Sequence, residues 1–244
     1  MRLIRWLALS ALAVLVVGFV VLSMLSKSGR IPSISDSLTK AFVSLLPKRD
    51  QADWLISEAG KKLAEGNDKE NVRLLKEAAQ LDPSNRRVWW KLCEGYQFTE
   101  ELDLAVSACK RNIEIDHSGL SYNSLGLVYL AKKDYLQASN AFDVAAKDSQ
   151  DPGIHKNLVW ALVASRQYQK AFSAAQRMVE VSATDTDNLG AAYQMLGTIY
   201  LKIGQREEAE ESFDKLRKLD PHWDYKTCEM TTDIKDELHL TCHN

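Results

Sequence analysis

The sequence predicts an all-α chain: a solenoid of about five stacked helix pairs behind one N-terminal transmembrane helix. Two observations carry that reading. From Ala52 to Trp223, small and apolar residues recur with a period near 34, the mark of a repeat whose units bury their faces on one another. Ahead of them, Leu7 to Leu25 is a run of nineteen uncharged residues broken only by Ser10, Gly18 and Ser23. The 244 residues are 45% hydrophobic and 26% charged, ordinary values for a chain that builds a core. A net charge of -2 and a pI near 6.2 supply no dense positive field for a phosphate backbone, so nucleic acid is not an expected partner.

At about 1.5 Å per residue the apolar run spans roughly a bilayer core. Arg2 and Arg5 precede it and Lys27 and Arg30 follow it, so flanking charge argues only weakly for a cytoplasmic N-terminus. A cleaved signal peptide has a shorter apolar core and an A-x-A-like exit. Here the core is longer and the exit residues Val21, Ser23, Ser26 and Ser28 are poor, so residues 1–29 read as a retained anchor. On either reading the rest of the chain crosses the membrane, most simply to the periplasmic side of a bacterial inner membrane as a single-pass protein. Residues 30–51 form a linker in which Ile34, Leu38, Phe42 and Leu45 fall at helical spacing behind Ser35, Asp36 and Ser37. That pattern is a short capped helix. It reads as a spacer packed on the first repeat in preference to a membrane-surface helix.

The units align from their ends: Ala78, Leu81, Asp82 and Pro83 in one match Leu216, Leu219, Asp220 and Pro221 in another. The second unit has Trp89, Leu92, Tyr96, Ala105 and Cys109, and the third has Tyr122, Leu125, Gly126, Tyr129, Ala138, Phe142 and Ala145. The fourth offers Leu158, Leu162, Tyr168, Ala171 and Ala175; the fifth has Tyr193, Leu196, Gly197, Tyr200, Gly204, Ala209 and Phe213. The units cover 52–85, 86–118, 119–151, 152–189 and 190–223, followed by a tail over 224–244. At Leu-Gly-x-x-Tyr and the later Ala-x-x-x-Phe this chain resembles the tetratricopeptide repeat family over about 170 residues. The resemblance implies two antiparallel helices per unit in a right-handed solenoid. Gly126 and Gly197 sit where the two helices of a unit approach closely, with Ala138, Ala171 and Ala209 answering from the facing helix, and Pro83 and Pro221 end second helices.

Some positions depart from the pattern. Unit one carries Ala59, Lys62 and Asn71 where small, aromatic and small residues are expected, which marks a divergent capping unit. Unit four has Val159 in the small position and no closing proline. An insertion around Ser182–Leu189, expected as a mobile loop, stretches the spacing of the last two unit starts to 38 residues. His117 replaces a closing proline and His155 a packing aromatic, and both read as structural.

No nucleophile, base or metal-ligand constellation converges in the repeats, and no glycine-rich loop cradles a phosphate, so no enzyme, cofactor or small-molecule substrate is expected. The four cysteines form two local pairs, Cys93 with Cys109 and Cys228 with Cys242, an even count that suits an oxidising compartment. Cys93 falls at the small position of a first helix and Cys109 at the aromatic position of a second. A bridge there closes a loop of about 17 residues, worth ~3 kcal/mol in the chain-entropy model; the alternative is two buried thiols. A second bridge closing the tail is the first reading of Cys228 and Cys242. A metal site from Cys228, His239, Cys242 and His243 matches no standard zinc spacing, and His239 to His243 lacks the first cysteine of a c-type haem attachment sequence.

The family resemblance implies that first helices line a concave face where a polypeptide binds. Carried over by register, that face holds Trp90, Glu94, Phe98, Asn123, Leu127, Lys156, Asn157, Trp160, Gln194, Thr198 and Lys202. Trp90 and Trp160 offer apolar area with a polar edge, and the asparagines can hydrogen-bond an extended backbone. The alternative for the tryptophans is packing under neighbouring helices. The Lys and Arg pattern by which some family members grip chaperone C-termini is missing. The functional expectation is a membrane-tethered scaffold for a protein or peptide partner in envelope assembly, secretion or quality control. A second expectation, from the shared layout of membrane-anchored repeat proteins of cytochrome c assembly, is an accessory that holds the apocytochrome.

Overall fold

The computed structural model describes residues 36–221, 228–232 and 238–242. The apolar run at Leu7–Leu25 lies outside them; among the described residues no helix is long and apolar enough to cross a membrane. Helix α1 (Asp36–Val43) precedes five antiparallel pairs: α2 (Lys48–Ala64) with α3 (Asp68–Leu81), α4 (Arg86–Phe98) with α5 (Leu102–Ile115), α6 (Gly119–Ala131) with α7 (Tyr135–Ala146), α8 (Pro152–Ala164) with α9 (Tyr168–Val181), and α10 (Thr186–Lys202) with α11 (Arg206–Leu219). Each helix packs on its partner, and each second helix then packs on the first helix of the next pair. An antiparallel hairpin of β1 (Cys228–Thr232) and β2 (Leu238–Cys242) lies in the tail.

The turn inside every pair has one design. Gly66, Glu100, Lys133, Arg166 and Gly204 occupy the same place in their repeats and all adopt φ between 59° and 86°. Each opens a 6→1 closure in which the next residue's N–H bonds back into the helix, as from Glu101 to the Tyr96 carbonyl at 2.8 Å and from Asp134 to that of Tyr129 at 2.9 Å. This is the Schellman cap, and it satisfies carbonyls that a helix end leaves open. Glycine meets the left-handed φ at no steric cost, and the three charged residues do not.

Helix pairing within a repeat turns on one close contact. A Cβ at Gly126 would stand 2.5 Å from the Phe142 ring, and one at Gly197 would collide with Phe213 in the same way. The sequence argument set Ala138 and Ala209 opposite these glycines; both alanines are buried, but the rings are what the glycines admit. Repeats one and four meet the same steric demand with other pairs, Ala59 with Leu75 and Val159 with Ala175, all buried. Asn71 takes the place of a small residue in α3 and stays buried because its Nδ2 donates to the Ala59 carbonyl at 2.8 Å.

The insertion near Ser182 is not a free loop. Asp185 accepts a hydrogen bond from the Asn188 backbone N–H at 3.1 Å, which starts α10 at Thr186 and gives it 17 residues against 13 for α4, α6 and α8. Most of the extra chain is therefore an additional helical turn.

Candidate functional site

First helices also meet across repeats, α4 with α6 and α8 with α10, which places them on the inner wall of the solenoid. Along that wall Trp90 is 40% exposed on α4, Leu127 39% on α6 and Trp160 37% on α8. None is packed away. The Trp160 ring is steadied edge-on by Tyr135 at 5.6 Å, and Lys91 holds its ammonium 5.2 Å from the Trp90 ring centre. Between the tryptophans, Asn157 Nδ2 donates to Asn123 Oδ1 at 3.4 Å, tying α8 to α6. Each amide retains further donor and acceptor capacity.

Glu94 is half-buried beside these residues. Burial pushes its carboxyl up, while Lys91 partly opposes that shift. Lys156 is exposed, and Gln194 and Lys202 are partly exposed farther along on α10. Two expected members fall outside the wall. Thr198 is 7% exposed and its hydroxyl donates to the Gln194 carbonyl at 2.9 Å, so the small side chain closes on its own helix and offers a ligand nothing. Phe98, 58% exposed, sits at the C-terminal end of α4 and lines a shallow depression with Gly66, Lys69 and Glu100. It borders the turns and not the floor. Sequence reasoning missed Leu120, exposed on α6 one turn ahead of Asn123. Its only signal was a large apolar residue where the equivalent positions carry Arg87, Gly153 and Ala191.

Among the described residues no cluster of three His, Cys, Asp or Glu could hold a metal ion. His155 is buried with Nε2 2.9 Å from the Ser149 carbonyl, a packing role. Cys93 on α4 and Cys109 on α5 are fully buried, their Cα atoms are 5.0 Å apart, and the structure joins them Sγ to Sγ. Cys228 and Cys242 are direct partners in the register of β1 and β2. His222 and His243 lie outside the described residues.

The tetratricopeptide repeat family model matches residues 190–223, the fifth helix pair. The helical stack superposes on the crystal structure of MamA with a TM-score of 0.62 at 21% identity, covering 78% of this chain and 97% of that one. MamA from Desulfovibrio magneticus RS-1 gives 0.61 at 20% identity over 72% and 98%. Residues 190–223 match a tetratricopeptide repeat, and the stack has the tetratricopeptide fold. YrrB, described as a TPR protein with an unusual peptide-binding site, shares the fold with a TM-score of 0.57 at 18% identity, over 69% of this chain and 86% of that one. Cilia- and flagella-associated protein 70 of Homo sapiens is 27% identical over 151 residues, which are 59% of this chain and 13% of the human protein.

In tetratricopeptide register, Glu94, Leu127, Trp160 and Thr198 share one position, and Trp90, Asn123, Lys156 and Gln194 share another. With Thr198 closed on its own helix, the exposed wall is two parallel rows, Glu94, Leu127 and Trp160 in one and Trp90, Asn123, Lys156 and Gln194 in the other.

Proposed function

We propose that this protein of tetratricopeptide fold is a non-catalytic scaffold that binds a polypeptide along the inner wall of the solenoid. The observation that supports this most is the band formed by Trp90, Leu127 and Trp160, exposed on three consecutive first helices. Large apolar side chains left open on successive first helices, beside the Asn123 and Asn157 amides, match the anchor-and-backbone pattern of peptide recognition. YrrB, with the same fold and its peptide-binding site, is consistent with it. The binding surface comprises Trp90, Glu94, Asn123, Leu127, Lys156, Asn157, Trp160, Gln194 and Lys202, with Phe98 at the rim.

The apolar run Leu7–Leu25 tethers the scaffold to a membrane in this reading, and the paired cysteines suit an extracytoplasmic, oxidising side. The test replaces both Trp90 and Trp160 by alanine in the membrane-extracted chain and compares recovery of co-purified polypeptides with wild type. Two aromatic anchors at ~2 kcal/mol each make the expected loss more than tenfold, with thermal stability preserved. Unchanged recovery would remove the inner wall as the binding site.

A further inference from the structure

We infer that oxidation of Cys93 and Cys109 completes the helix contact of repeat two, so that this repeat, alone among the five, reaches its packed state only as a disulfide. Gly126 with Phe142 and Gly197 with Phe213 occupy the eighth and twenty-fourth positions of their repeats, and the ring of each phenylalanine fills the space over its glycine. Ala59 with Leu75 and Val159 with Ala175 fill the same two positions by pairing a small residue with a larger one. In repeat two those positions are Cys93 and Cys109.

Neither cysteine is a ring or a branched chain that could cover the other. Both are completely buried, and the helices bring their Cα atoms to 5.0 Å. That separation lies in the window a disulfide spans, whereas non-bonded sulfurs keep van der Waals distance, well beyond a bond length. The interior at this point therefore accommodates one bonded pair better than two thiols. Bond formation proceeds by exchange with a disulfide-carrying oxidant, a small disulfide or a protein oxidoreductase. One cysteine thiolate attacks a donor sulfur and expels a thiolate; the other attacks the resulting mixed disulfide and expels the second. The cysteine pair loses two electrons and two protons, and the donor leaves as two thiols.

The consequence falls on α4, which carries Trp90 and Glu94, members of the wall. A loosened α4–α5 pair interrupts the wall between repeats one and three. The packing inference itself does not depend on what the wall binds, so its test uses no partner. Amide hydrogen exchange is measured on the full chain refolded from denaturant with and without dithiothreitol, beside the variant C93G/C109F, which installs the pair used in repeats three and five. Reduction should speed exchange in α4 and α5 roughly tenfold or more, leave α6–α7 and α10–α11 unchanged, and have no effect on α4–α5 of the variant. Equal protection of α4 and α5 with and without reductant overturns the inference, as does a reductant effect on α4–α5 that persists in C93G/C109F. If that variant fails to fold, C93A/C109L, the pair of repeat one, takes its place.

Discussion

Single residues set the spacing of this solenoid. Gly126 exists because the Phe142 ring lies where a Cβ would go. Gly126→Val should cost ~1–3 kcal/mol by overpacking, visible as a melting temperature lower by several degrees; an unchanged melting point would mean that the ring moves aside freely. Asn71 makes the complementary case. Read from sequence it was a mark of divergence, but its amide donates to the Ala59 carbonyl inside the core. Asn71→Ala should cost ~1–3 kcal/mol in denaturant unfolding, because a buried interhelical hydrogen bond is lost and the amide's volume is left empty. The glycines were legible in the sequence because their repeat position announces a close approach. What fills the space over them was less so, since an alanine one turn away from each phenylalanine is equally buried. Thr198 shows the limit of register: it shares a position with Trp160, yet a short hydroxyl side chain folds back on its own helix where an indole extends outward.

At the scale of elements, the recurring cap inside each pair explains both order and tolerance. The turn geometry is common to all five repeats, yet only Gly66 and Gly204 suit the φ it needs. Glu100→Gly should therefore stabilise by about 0.5–1 kcal/mol, relief of the left-handed backbone outweighing glycine's added unfolded-state freedom; destabilisation on urea titration would contradict this. These caps were only partly legible, since two glycines signalled a turn that charged residues make elsewhere. The α5–α6 junction is polar. Burial pushes the Asp116 carboxyl up, but hydrogen bonds from Ser118, Arg86 and Ser121, with the Arg86 charge, outweigh it and hold the carboxyl below its ordinary range. A carboxyl lowered on folding adds stability above its unfolded value, near 3.9, which is lost as pH falls through the lower folded value. The urea midpoint should fall below about pH 4, and more shallowly in Asp116→Asn; parallel pH curves would assign the acid sensitivity elsewhere. The extra turn of α10 escaped the sequence reading because length alone does not distinguish a loop from a helix extension; Asp185, as an N-cap, decides it.

At the scale of the whole molecule, the described residues form two cores joined at the third repeat. One gathers α2 to α5 with Leu125, Val128 and Ala141, and the other gathers Ala138, Phe142 and the residues of α8 to α10; Tyr129 packs against both. The inner wall crosses that seam from Trp90 through Leu127 to Trp160. Architecture at this scale was the most legible part of the sequence, because five registered units repeat the same small and large positions. The wall was legible in its aromatic centre and less so at its ends, where Phe98 turns to the rim and Leu120 joins. Whether the inner wall holds a polypeptide is read out by site-specific photocrosslinking in cells that express the full chain. A photoreactive residue at Leu127, on the wall, is compared with one at Leu136, an exposed position on the second helix α7. A polypeptide-binding wall gives a discrete adduct from Leu127, abolished by Trp90→Ala with Trp160→Ala, and none from Leu136. An adduct from Leu136 alone, or a Leu127 adduct indifferent to both tryptophans, would contradict it.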